Sequence, residues 1–317
     1  MPLPWVLAII CMCIMEKFSY RVGLDDEDER IDKWISDTLQ DLSRSYIQKL
    51  IKDNKVFVNG KAQKTSYRVK VDDEIEFEIP DAVVPEILAE DIPISILYED
   101  EDILIVDKPK GMVVHPAPGH YSGTLVNAVM FHCKDGLSGI NGVMRPGIVH
   151  RIDKDTTGSL IICKNDRAHN AVAVQLKEHS ITRKYHAIVY GRMEAEEGRI
   201  DASIGRDPRD RKKMAVNVSN SKPAVTYYKV LKEFKEYSYV ECKLETGRTH
   251  QIRVHMASIG HPVLGDIVYS NRKSKYNLQG QTLHAMTIGL IHPSTGEYLE
   301  ISAPLPEYFV HLLDILE

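Results

Sequence analysis

Several features that would commit this chain to a chemistry are missing. Its five cysteines, Cys11, Cys13, Cys133, Cys163 and Cys242, are few and odd in number. No pair has the Cys-x-x-Cys spacing of a metal or redox site, so they read as reduced thiols of a cytosolic protein. Thirteen histidines include no His-Glu-x-x-His or comparable cluster, and His250 and His255, five apart, do not share a helical face. No metal site is expected. An excess of positive charge is missing too. The net charge of −5 argues against a uniformly basic nucleic-acid binder. No apolar run reaches the ~20 residues that a membrane helix needs. The nearest is residues 3–15, which lacks the basic flank and the Ala-x-Ala-like site of a signal peptide. Residues 1–14 are therefore expected to be an N-terminal extension, with Met15 as the natural start.

What is present is ordinary in amount and uneven in place. At 317 residues, 43% apolar and 27% charged, the chain can bury a full core and has room for two domains. Residues 43–70 carry eight Lys/Arg and one acid, Asp53, while residues 71–102 carry thirteen acids and no base. A basic module followed by an acidic junction describes the chain better than its mean charge.

One stretch organises the rest. Residues 147–164 begin Gly147-Ile148-Val149-His150-Arg151-Ile152-Asp153-Lys154-Asp155-Thr156-Thr157-Gly158 and end in an Ile-rich apolar run. The run 159–163 is too short for a helix and reads as a buried strand. Asp153 then sits on a polar loop at a strand edge, where scaffolds present reactive groups. A carboxylate beside a guanidinium is favoured in its charged form and is able to act as nucleophile or general base. The bland alternative is a loop-capping Asp beside a surface Arg. On chemistry alone Asp155 competes with Asp153.

His150-Arg151-Ile152-Asp153 followed by Asp155-Thr156-Thr157-Gly158 resembles the catalytic motif of the RluA/RluD-type RNA pseudouridine synthases, with Ile152 for the usual Leu and Thr157 for the usual Ser. Further segments resemble that family in the same order. They are 103–116 around Asp107-Lys108-Pro109, Arg183-Lys184-Tyr185, 245–256 with Gly247-Arg248-Thr249-His250-Gln251-Ile252-Arg253, 264–269 and Leu283-His284-Ala285. The last two read as structural. Upstream, Ser43-Arg44-Ser45, Leu50-Ile51, Val56-Phe57-Val58-Asn59-Gly60-Lys61 and Asp73-Glu74-Ile75 resemble the alpha-L RNA-binding domain first named in a small-subunit ribosomal protein.

The resemblance implies an α+β fold. A small alpha-L domain over 28–88 precedes a mixed, largely antiparallel-sheet catalytic domain with a central cleft over 94–317, joined by a proline-bearing acidic linker. It implies isomerisation of uridine to pseudouridine in RNA, which changes no redox state, consumes no water and needs no cofactor. Asp153 is the implied catalytic carboxylate, Arg253 its partner, and Tyr185 the aromatic that packs on the base. His150 and Arg151 are implied substrate contacts, Arg151 filling the space left by a flipped nucleotide. Arg44, Lys49, Lys52 and Lys61, with Arg209, Arg211 and Lys212 of a basic loop over 206–213, are the expected phosphate contacts. The expected partner is large-subunit ribosomal RNA, for a monomeric cytoplasmic protein with no membrane contact. Transfer RNA is the rival substrate. A non-catalytic RNA-binding or assembly factor and a glycoside hydrolase are rivals of other classes. The latter lacks a second carboxylate.

Local patterns predict further elements. Helices are expected from Ile31, after the Ser43 and Thr124 caps, after Asp166, and from Thr249 to a terminating Gly260. On the last of these, Ile252, Met256 and Ile259 are the expected core stripe. Strands are expected over 75–79, 183–190, 224–231 and 239–244, and a hairpin at Asn59-Gly60.

Overall fold

The structure, a computed structural model, describes residues 16–39, 43–79, 87–116, 120–134, 136–142, 145–210 and 212–317. The extension 1–14, the first part of the linker (80–86) and Arg211 lie outside the described residues. The chain divides between Pro85 and Glu86 into two compact units.

In the first unit the elements are β1 (Glu16–Arg21), α1 (Ile31–Thr38), α2 (Arg44–Lys52), β2 (Val56–Val58), β3 (Lys61–Ala62) and β4 (Glu74–Ile79). The strands form one antiparallel sheet in the order β1-β4-β2-β3. Ser43 caps α2, its hydroxyl accepting from the Tyr46 N–H. Asn59 and Gly60 turn β2 into β3 at φ 49° and 71°, the left-handed pair that a two-residue hairpin needs. Ile31, Trp34 and Ile35 of α1 and Ile47, Leu50 and Ile51 of α2 are the buried stripes, packed on Val56, Val58, Ile75 and Phe77. Strand β1 was not expected. Phe18 and Tyr20 alternate with Lys17 and Ser19, and both rings stack on Phe77 with centroids 5.2 and 6.0 Å away.

The second unit continues with β5 (Ser95–Glu99), β6 (Ile103–Lys108), α3 (Leu125–Cys133), β7 (Thr157–Cys163), α4 (Asp166–Lys177), β8 (Thr182–Tyr190), β9 (Glu197–Asp201), β10 (Ile204–Arg206), β11 (Met214–Val216), β12 (Val225–Glu233), β13 (Tyr237–Leu244), α5 (Gln251–Ser258), β14 (Leu283–Ile291), β15 (Tyr298–Ser302) and α6 (Glu307–Ile315). Nine strands join in one sheet, β5-β6-β7-β14-β8-β13-β12-β9, with β15 added beside β14. Its one parallel pairing among the described residues is β7 with β14. Strand β7 is buried at every position, as its apolar run predicts. It meets β14 at Gly158, φ 107°, where a Cβ would lie 2.3 Å from the Ala285 carbonyl oxygen. Only glycine permits that approach.

Strand alternation sorts the core onto two faces. Leu104, Val106, Leu160 and Ile162 share one cluster with α3 and with Ile252 and Met256 of α5. Ile103, Ile105, Ile161 and Cys163 share the other with Ala168 and Val172 of α4. Along β8, Tyr185, Ala187 and Val189 belong to the first cluster, while Ile188 and Tyr190 pack with Phe309 and Leu312 of α6. Tyr185 and α5 therefore look toward the same side of the sheet.

Three local expectations are corrected. Asn165, not Asp166, caps α4, and its side chain accepts from the Ala168 N–H at 2.9 Å. Asp166 accepts from the Ser138 hydroxyl instead. The buried positions of α4 are Ala168, His169 and Val172, and Val174 faces solvent. His250, at φ 58°, stands where Thr249 was expected to cap α5, and Ile259 is exposed. The far end of α5 closes as expected, with Gly260 and His261 N–H groups donating to the Ala257 and Met256 carbonyls.

Candidate active site

Asp153 stands on the loop before β7, and the loop is fastened from below. The Lys108 ammonium, fully buried, donates to the carbonyls of Pro109, Met112 and Lys154 at 2.8, 2.9 and 2.9 Å. Burial pushes this lysine down to about 7, against the opposing pull of Asp155, Asp153 and Asp107. Thr156 N–H closes a turn onto the Asp153 carbonyl at 3.1 Å. Gln281 donates to the Thr156 hydroxyl. The carboxylate next to Lys154 is thus placed by backbone bonds rather than left on a free loop.

Above the loop lies a cleft of about 370 Å³ lined by Asp153, Tyr185, Arg253, His250, Arg183 and Leu283, among others. Asp155 is not part of its wall. From α5, Arg253 Nη1 donates to Asp153 Oδ2 at 2.9 Å. This is the single hydrogen bond of the pair. The bidentate partner is Asp266, which takes Nε at 2.6 Å and Nη2 at 3.0 Å. Burial raises the Asp266 carboxyl, and the Arg253 bonds outweigh it, leaving the group below its ordinary value. Backbone N–H groups of Val268 and Tyr269 complete the Asp266 shell.

His250 approaches the other oxygen of Asp153, Nε2 to Oδ1 at 3.8 Å. Its Nδ1 lies 2.7 Å from the Tyr269 hydroxyl, which also accepts the Met214 N–H at 2.9 Å. With a lone pair of the phenol oxygen taken by Met214, its proton is free to point at His250 Nδ1. That fixes the imidazole with its N–H at Nε2, toward Asp153. Burial lowers the His250 pKa, against the opposing effect of Asp153. The Tyr269 ring also lies under the Arg253 guanidinium at 5.1 Å.

Tyr185 is 8% exposed, belongs to the core cluster and lines the cleft. Burial raises its phenol pKa. Two residues before it on the same face, Arg183 is buried with one bond to the Glu245 carbonyl and with Nε unpartnered. His150 lines the cleft, but its Nε2 accepts the Ile161 N–H at 2.9 Å. It caps a β7 edge that β14 does not reach. Burial, reinforced by Arg183, pushes it down to about 3. Arg151 is exposed at the rim.

Asp266, Tyr269, His250 and Arg183 were missed as site residues. Asp266 had no reliable local signal, since Ile267 beside it is 88% exposed while Asp266 is buried. Arg183 had one, since strand alternation puts it on the Tyr185 face. His250 and Tyr269 had none beyond their segments. Two groups among the described residues have spacings that suit a metal ion, Glu99/His132/Cys133 and Asp100/Asp102/His292, and neither lines the cleft.

Comparison with known proteins bears on the family. Residues 102–258 match the family described as RNA pseudouridylate synthase, and residues 29–75 match the S4 domain. A Bacillus subtilis (strain 168) protein described as an uncharacterized RNA pseudouridine synthase is 50% identical over 302 residues, covering 95% of this chain and 99% of that one. The chain belongs to the RNA pseudouridine synthase family. These enzymes are isomerases, as the motifs implied. A Zymomonas mobilis protein named ribosomal large subunit pseudouridine synthase D is 44% identical, covering 88% of this chain and 90% of its own. The solved structure of human RNA pseudouridylate synthase domain containing 1 covers 72% of this chain and 96% of its own, with a TM-score of 0.56 at 25% identity.

Outside its cleft, this pseudouridine synthase carries the basic residues expected of an RNA-binding protein, in two places. In the S4 unit, Lys49, Lys52 and Lys61 are exposed. Arg44 is not free in the same way. Its Nε and Nη2 donate to the buried Asp32 at 3.1 Å each, beside Arg30 and Gln48. A desolvated carboxylate needs those donors, so Arg44 serves this unit's core first. In the second unit the loop 207–213 joins β10 to β11 as a hairpin, and Arg209 and Lys212 are exposed on it. No helix among the described residues is long and apolar enough to cross a membrane.

Proposed function

We propose that this enzyme converts uridine to pseudouridine in large-subunit ribosomal RNA, with Asp153 as its catalytic carboxylate. The observation that carries the reading is the Arg253–Asp153 pair at 2.9 Å, set in a cleft that Tyr185 also lines. The bond from ribose C1′ to uracil N1 breaks, the base turns, and C5 bonds to the same C1′. The proton leaving C5 balances the one gained at N1. Asp153 attacks C1′ or removes a sugar proton, and either route needs one oriented carboxylate. Arg253 neutralises and aims it, and Tyr185 packs on the base for about 1–3 kcal/mol. His150 and Arg151 contact the flipped nucleotide, Arg151 by entering the space it vacates. Lys49, Lys52 and Lys61 with Arg209, Arg211 and Lys212 supply phosphate contacts that offset the cost of extrusion, and Arg44 adds what its bond to Asp32 leaves over.

We assign RNA binding to residues 28–88 and catalysis to residues 94–317, in a cytoplasmic monomer. Ribosomal RNA is favoured over transfer RNA by the names of the relatives. The presence of Asp153, Tyr185 and Arg253 together favours catalysis over a binding or assembly role. Pseudouridine mapping of ribosomal and transfer RNA in cells lacking the protein tests all three choices. Specific ribosomal pseudouridines are expected to vanish, and to return with wild type but not with Asp153→Ala. Loss confined to transfer RNA would overturn the substrate. Rescue by Asp153→Ala would overturn the carboxylate's role.

A further inference from the structure

A second cavity, of about 260 Å³, adjoins the cleft and shares Val149, His150 and Arg151 with it. The rest of its wall is His115, Asn141, Arg145 and Ile148. It contains no acid. Arg145 and Arg151 are exposed, and neither guanidinium has a carboxylate partner among the described residues. His115 is only 6% exposed, and its Nδ1 is buried without a hydrogen-bond partner. Burial and the charge of both arginines push His115 down to about 4, which places all three groups within electrostatic reach of one another. Asn141 is engaged, its side chain donating to the Ile148 carbonyl at 2.7 Å, so the wall is braced.

Two guanidinium groups without a carboxylate partner among the described residues give this hollow a positive potential that an anion would relieve, while the buried imidazole beside them stays uncharged. A guanidinium fork matches the paired oxygens of a phosphate, and a neutral imidazole offers one further N–H. We propose that this cavity is a phosphate subsite, taking the phosphodiester next to the uridine whose base occupies the Asp153 cleft. The placement rests on the activity proposed above. Because residues 149–151 are wall to both hollows, a nucleotide lying across them has its sugar at Asp153 and its adjoining phosphate at Arg145. The subsite would then register the RNA strand, fixing which nucleotide along the backbone meets the carboxylate.

Arg145 is no part of the Asp153 cleft, so its replacement separates binding from chemistry. The test uses the full-length protein and a helix-loop transcript of large-subunit ribosomal RNA, titrated between about 50 and 200 mM salt. Arg145→Ala is expected to bind about 3- to 10-fold more weakly at the low end and to lose about one unit from the slope of log K against log salt. Arg145→Lys is expected to keep most of the slope. A neutral methylphosphonate beside the target uridine should weaken wild type and cost Arg145→Ala nothing further. An unchanged slope, or an equal methylphosphonate penalty in both proteins, would overturn the subsite. Failure of wild type to form pseudouridine on any RNA would instead overturn the activity, and the salt titration remains readable without turnover.

Discussion

Arg253 divides its guanidinium between two carboxylates, giving two bonds to Asp266 and one to Asp153. The anchor is the residue outside the cleft, and the third bond is what remains to aim at the substrate side. Asp266→Asn keeps the volume and removes the charge that holds the fork. Turnover is expected to fall about 10- to 100-fold with KM little changed, since misplacement of about 1 Å costs that much. The protein should lose about 1.5–3 kcal/mol of stability. Steady-state kinetics and denaturant titration check both. Wild-type turnover in this variant would remove Asp266 from the positioning of Asp153.

Tyr269 joins three pieces of the site through one oxygen and one ring. Tyr269→Phe keeps the ring under Arg253 and strips the bond that sets the His250 tautomer. About 1 kcal/mol of stability and about tenfold in turnover are the expected losses, with RNA affinity retained. Nitrogen-15 NMR of the His250 ring gives a direct readout. Wild type should show an unprotonated Nδ1, and Tyr269→Phe a mixture of tautomers. A mixture already present in wild type would refute the assignment.

The contrast between these residues shows what the sequence could reveal. The pairing of Asp153 with Arg253, 100 positions apart, was available only through a family motif, because nothing local links the two residues. The strands were legible because burial on a sheet leaves a period of two, and Ser43 and Asn59-Gly60 were legible because caps and turns are local chemistry. The cap of α5 was missed by one residue. His250 takes a left-handed conformation that Thr249 would be expected to avoid, and it brings its ring onto Tyr269. The parallel pairing of β7 with β14 was out of reach, since strand order depends on partners more than a hundred residues away.

Arg183 is a buried cation with one carbonyl bond and an unpartnered Nε in the wall of the Asp153 cleft. A charge kept there without a counter-ion costs stability, so Arg183→Met should melt no lower than wild type. RNA turnover should nonetheless drop at least tenfold, because the anionic group that would pair with Arg183 comes with the substrate. Thermal melts beside single-turnover kinetics decide the matter. A large loss of stability would make Arg183 a framework residue instead.

Acid should unfold the second unit early. His115, His150 and His284 are held to about 4, 3 and 4 by burial, against an ordinary value of 6.5. Unfolding lets each take a proton as pH drops below 6.5, so the unfolded chain binds more protons there. The stability these neutral rings contribute is complete above 6.5 and is lost as pH falls toward 4 and then 3. Three such protons give a slope of up to about 4 kcal/mol per pH unit. Denaturant titrations at pH 7, 6 and 5 should follow that trend, and His150→Gln should flatten it by about a third. A pH-independent stability over this range would contradict it.

Strand β7, which the Asp153 loop leads into, is sealed on one side by β6 and on the other by β14 at Leu283–Ile291. The sheet of the S4 unit, by contrast, closes by Ile79. During synthesis at about 5–20 residues per second, some 200 residues separate those two events, an interval on the order of 10–40 s. For that interval the emerging chain can hold a finished S4 unit while Asp153 has no seat. On the proposed assignment, the RNA-binding unit is complete before the Asp153 site exists, and a chain truncated before β14 would keep the S4 fold and lose the seat of Asp153.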